Sequence, residues 1–124
     1  MAKAETDIVH AIMLELSKHG AAIWKNVRGK FRPLHGDQNR VIAAGLLSPG
    51  ASDLIGLMPI TITQDMVGQR VAVFMAIEVK TSTGSIRPEQ TAFIDKIRRY
   101  GGISGVARSA DDAAELISAR SCKP

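Results

Sequence analysis

The run Val71-Ala72-Val73-Phe74-Met75-Ala76-Ile77-Glu78-Val79-Lys80 most constrains what this chain can fold into. It is apolar and β-branched like a buried strand, yet it closes on a carboxylate and an ammonium. Taking an unpaired ion out of water costs several kcal/mol, so Glu78 and Lys80 need each other, a metal, or water at the strand's mouth. Side chains alternate across a strand. Glu78 and Lys80 therefore share one face, expected to be chemical, and Val79 lies on the other, expected to be core.

Upstream, Ser48-Pro49-Gly50-Ala51-Ser52 is a turn-forming cluster leading into Asp53 and a second apolar run. Gly56 and Pro59 lie inside that run, so its strand is expected to end near Met58. Gln64 to Arg70, with Asp65, Gly68 and Gln69, reads as the hairpin connection to the strand ending in Glu78 and Lys80. An antiparallel pair of this kind sets the start of one strand beside the end of the other. Two carboxylates and a lysine then converge, as a hard divalent cation and a phosphodiester require. Mg²⁺ takes oxygen ligands and bridges to phosphate, and a nearby lysine can hold or activate the attacking water. Taken singly, E-x-K is also the mark of a surface ion pair and an Asp after Pro-Gly that of a turn. Their conjunction in a basic chain is what points to a site.

The order Gly50-Ala51-Ser52-Asp53, then Glu78-Val79-Lys80, then Gln90 in the following helix, resembles the PD-(D/E)xK nucleases. Within them it is most similar to the virus-type replication-repair nuclease family, VRR-NUC. That family also places an acidic residue in its first helix, and Glu5 is there; Ser52 stands where the motif has a loop-shaping proline. The resemblance runs from Glu5 to Gln90 and, by element order, covers nearly the whole chain. It implies a restriction-endonuclease-like α/β fold, order α-β-β-β-α-β-α, with a mixed central sheet flanked by helices. It also implies a Mg²⁺- or Mn²⁺-dependent endodeoxyribonuclease that hydrolyses phosphodiester bonds, on branched or junction DNA, in replication or repair. Asp53, Glu78 and the Val79 carbonyl are the expected metal ligands, with Glu5 acting directly or through water. Lys80 is expected to orient or activate the nucleophilic water, and Gln90 to position that water or the scissile phosphate. Stand-alone members of the family work as dimers, so a homodimer is expected. Leu46, Leu47, Met58, Pro59 and Ile60 are either its interface or ordinary core. The competing reading is a catalytically silent DNA-binding or assembly module on the same fold.

From Lys3 to His19, Ile8, Val9, Ile12, Met13 and Leu16 recur at helical spacing and Gly20 follows as a stop. Glu5 falls in the first turn, where the helix dipole favours any carboxylate. The same spacing lets it point toward Asp53. Ala21 to Phe31 reads as strand, turn and strand continuation. Lys25, Arg28, Lys30 and Arg32 are interleaved there with Trp24 and Val27. With Asn26 and Arg87, these cations form the expected DNA track, although a solvated strand face would look the same. Pro33 to Arg40 is a polar loop in which His35 and Asp37 lack companions at ligand spacing, and His10 and His19 are assigned no role.

Pro88, one position inside a helix start, opens a helix to Tyr100 with Phe93, Ile94 and Ile97 inward, and Gly101-Gly102 ends it. Lys96, Arg98 and Arg99 complement its C-terminal dipole. Ile103 to Ala107 reads as a strand. Ser109-Ala110-Asp111-Asp112 reads as a capping box opening a last helix through Ser118, packed by Ala113, Leu116 and Ile117.

The chain has 124 residues, which suits a single domain, 1–124, with a small core. Lysine and arginine outnumber acidic residues 16 to 12, a net charge of +4 that permits a polyanionic partner without requiring one. A lone cysteine, Cys122, rules out both an internal disulfide framework and a cysteine-ligated zinc cluster. With no apolar leader or membrane-length run, the expected location is cytoplasmic. No glycine-rich phosphate loop occurs, so no nucleotide cofactor is expected.

Overall fold

In the computed structural model, which describes residues 4–45 and 50–121, the first apolar period forms helix α1, Glu5–Lys18. Two of its side chains one turn apart, Val9 and Met13, are half-buried where α1 packs on strand β1, Ala22–Lys25. Ile8, Ile12 and Leu16, expected to face inward, are exposed, because a four-residue strand offers only a narrow seat. Strand β1 pairs antiparallel with strand β4, Leu54–Leu57, in a register that sets Ala22 opposite Leu57 and Lys25 opposite Leu54. Gly56 permits this pairing. A Cβ there would collide with the Ala22 carbonyl and the Ile23 side chain. Strands β2, Gly29–Phe31, and β3, Ile42–Ala44, form a second antiparallel ladder. These elements make up one of two compact units, ending at Met58; the other begins at Pro59.

The second unit starts with a 3₁₀ turn at Gln64–Met66 and is built on a β-α-β crossover. Strand β5, Met75–Val79, is followed by helix α2, Pro88–Arg99, and by strand β6, Ile103–Ala107, which pairs with β5 in parallel. Parallel neighbours need a crossover of a dozen or more residues, and α2 supplies it. Ile94 and Ile97 of α2 are buried, Ile97 completely, with Ser104 and Ala107 of β6. Helix α3, Ala110–Ser121, packs on β6. Ser109 caps its start, with Asp112 N–H donating to Ser109 Oγ; the reciprocal bond expected of a capping box goes instead to the preceding residue, Arg108, whose N–H donates to Asp112 Oδ2 at 2.8 Å. Among the described residues no helix is long and apolar enough to cross a membrane.

Several expectations need correction. The strand after Asp53 and the strand ending at Lys80 do not form a hairpin: β4 pairs with β1, and β5 with β6. The link from Met58 to Phe74, with Pro59 and a 3₁₀ turn inside it, is too long for a tight hairpin. In place of one mixed central sheet there are three two-stranded ladders among the described residues. Five strands precede α2 where three were expected, because the basic segment splits at Asn26–Arg28 and β3 follows the polar loop. Val79 is 75% exposed, so its face of β5 is not core. Phe93 is 40% exposed, and Ile117 of α3 is exposed too, so both depart from their expected inward positions. Leu46, Leu47 and Cys122 lie outside the described residues.

Candidate active site

Glu78 sits on β5 beside the first turn of α2. Pro88 at the helix start fixes the register, which puts Gln90 three residues after Arg87. Gln90 Oε1 accepts from the Arg87 backbone N–H at 2.9 Å, and its Nε2 donates to Glu78 Oε1 at 2.7 Å. The capping bond orients the amide so that its donor end faces the carboxylate. Lys80 Nζ lies 3.6 Å from the same Glu78 oxygen, with the two side chains 19% and 33% exposed. One carboxylate oxygen is thus gripped by an amide and approached by an ammonium, as a charged group held at a sheet end requires. Arg87, Gln90, Phe93 and Ser104 line a cavity of about 370 Å³ with Glu78.

The first unit holds its own acidic pair. Glu5, from the first turn of α1, and Asp53, at the entry to β4, line one cavity of about 280 Å³ with Thr6, Lys25 and Asn26. The expectation that Glu5 points toward Asp53 agrees with this. Asn26 holds the Asp53 turn at two points: its backbone N–H donates to the Asp53 carbonyl at 2.8 Å, and its side-chain amide donates to the Ser52 carbonyl at 3.0 Å. Sequence reasoning gave Asn26 to DNA. The structure adds a role as the brace of the loop that presents Asp53. The Asp53 carboxylate is exposed and lies 3.8 Å from Arg28 Nη2, a solvated pair of small energetic weight. Lys25 Nζ lies 3.4 Å from His10 Nε2. Lys30 and Arg32 are exposed, and Arg87 pairs with Glu89 at 3.5 Å.

Within neither unit do three or more His, Cys, Asp or Glu side chains gather as a metal cluster among the described residues. Asp37 serves a turn, accepting from Asn39 N–H at 3.0 Å. Arg98 Nε donates to the Ser104 carbonyl at 2.9 Å and ties α2 to β6.

The VRR-NUC domain model matches residues 7–111, nearly the whole chain and both of its units. The chain belongs to the VRR-NUC family. This VRR-NUC domain therefore carries a nuclease role, with DNA as its implied substrate. Asp53, Glu78, Lys80 and Gln90 fall inside the matched segment, and Glu5 just before it. No curated protein and no solved structure matched the chain.

Proposed function

We propose that this VRR-NUC domain is a metal-dependent, structure-specific endodeoxyribonuclease that cuts branched or junction DNA in replication or repair and acts as a homodimer. The observation that carries the catalytic part is the Glu78 carboxylate held by Gln90 and flanked by Lys80. The donor chemistry of each unit suits Mg²⁺ or Mn²⁺: Glu5 and Asp53 offer hard oxygens in the first, and Glu78 and the Val79 carbonyl in the second. Both polar contacts of Glu78 among the described residues fall on Oε1, so Oε2 is the oxygen suited to an ion. When bound, the ion supplies Lewis acidity and positive charge toward a phosphodiester.

The chain's own residues do the rest. Lys80 orients the attacking water and offsets the negative charge that grows on phosphorus oxygens as the new P–O bond forms and the ester P–O bond breaks. Gln90 holds Glu78 so that the carboxylate need not reorganise during the reaction.

Met58 and Ile60, each more than half exposed, support an apolar patch for the second protomer. Two-fold assembly would pair two sites across a junction of matching symmetry. Sedimentation at micromolar concentration should give the dimer mass, and a four-way junction should be nicked in Mg²⁺ in preference to linear duplex. A monomer that cuts both equally would leave the nuclease standing and remove the dimer and the branched substrate.

The cations Lys25, Arg28, Lys30 and Arg32 supply the DNA track of the first unit, and Arg87 supplies a phosphate contact in the second. Neutralising them should flatten the salt dependence of DNA binding by roughly one phosphate equivalent for each cation that meets the DNA backbone. An unchanged slope would reject the track.

A further inference from the structure

The side chain of Arg108, just past β6, reaches across to the chain that follows Lys80. Its Nη1 donates to the Thr81 carbonyl at 2.5 Å and to the Gly84 carbonyl at 2.8 Å. These two carbonyls lie at the two ends of one turn, which Gly84 N–H closes on Thr81 O at 3.2 Å. Charge-assisted bonds of this kind are stronger than neutral ones.

The turn is continuous with the site. Lys80 N–H donates to the Ala107 carbonyl at 3.1 Å, immediately before Arg108. A Cβ on Gly84 would come within 3.5 Å of the Lys80 side chain, so the turn folds back along the lysine stem. Arg108 is itself anchored, since its backbone N–H is bound by Asp112 in the first turn of α3. The path from α3 through Arg108 and the Thr81–Gly84 turn to Lys80 is thus a series of short, oriented contacts.

We propose that Arg108 is a positioning residue for the Glu78–Lys80 site, acting through the Thr81–Gly84 turn. This rests on the nuclease reading above. Among the described residues no hydrogen bond or ion pair joins Arg108 to Glu78 or Gln90; it limits how far the backbone at Lys80 can drift.

The test compares wild type, Arg108→Ala and Arg108→Lys for single-turnover cleavage of bound DNA, for KM, and for backbone order at Thr81–Gly84 by NMR relaxation. Arg108→Ala should slow cleavage by about 10- to 100-fold, the scale of an ångström-sized misplacement, with KM little changed. Order parameters of the turn should fall to about 0.6 or below. Arg108→Lys, which keeps a donor, should recover part of both. In a Lys80→Ala background the same change should cost little further rate, because the two act as one unit.

An undiminished rate with a loosened turn would overturn the positioning role and leave the nuclease intact. So would a loss confined to KM with a flatter salt slope, which would make Arg108 a phosphate contact. A wild type inactive in both Mg²⁺ and Mn²⁺ would remove the nuclease reading, and the positioning role with it.

Discussion

Replacing Glu78 with Gln is expected to remove Mg²⁺-dependent cleavage while leaving folding and DNA binding close to wild type. The two side chains have the same shape. Gln90 Nε2, 2.7 Å from Glu78 Oε1, can donate to an amide oxygen as it does to a carboxylate. A charge-assisted bond becomes a neutral one, at a cost of about 1 kcal/mol on the difference between the two classes. The Lys80 ammonium loses its counter-charge but keeps 19% of its side chain in solvent, which limits the penalty. Activity should respond differently, because an amide cannot replace a carboxylate as a charged oxygen ligand. Single-turnover rates should fall by about 10²- to 10³-fold or more, as when one preorganised electrostatic partner is removed. Thermal unfolding and a binding isotherm run beside the rate separate the two effects. Full retained activity would sink the role of Glu78 as a metal ligand.

That Gln90 lies in the first turn of α2 was legible because the cause is local, whereas its bond to Glu78 was not foreseen. A proline at the first helical position sets the register of α2, and the residue two places later must face back over the preceding loop. The Ser109 cap of α3 was legible for the same reason, as was β6, a short apolar run between Gly102 and Arg108. Strand partners were not. A strand's alternation says which side chains share a face but not which ladder completes it, so the run from Val71 to Lys80 looked like one long strand. Within that run the ladder spans Met75–Val79, and β6 supplies its other side. The braces also escaped. Asn26 reaches Ser52 across 26 positions and Arg108 reaches Thr81 across 27, through side-chain bonds to carbonyls that leave no local pattern. Asn26 resembled a DNA contact because its neighbours are cations. Its other bonding option, a carbonyl distant in sequence, appears only once β1 and β4 are paired.

The second large effect is expected from Lys80→Ala. Turnover of bound DNA should drop by about 10²- to 10⁴-fold, the range for losing a group that manages a proton or the attacking water. Binding should weaken by no more than a single phosphate contact would explain. The reason lies in where the ammonium sits. A lysine that merely gripped the DNA backbone would extend into solvent, like the exposed Lys30, whereas Lys80 is four-fifths buried and turned toward Glu78. Its cost of desolvation is offset by that carboxylate, and the pairing brings a positive charge to the oxygen bound by Gln90. Lys80→Arg makes the sharper comparison. It keeps the charge, but a planar guanidinium cannot reproduce the compact ammonium 3.6 Å from Glu78 Oε1. If position matters more than charge, Lys80→Arg should fall close to Lys80→Ala in rate while binding DNA as wild type does. The opposite pattern, weakened binding with the turnover of bound DNA preserved in Lys80→Ala, would reassign Lys80 to a phosphate clamp. The water would then need another partner.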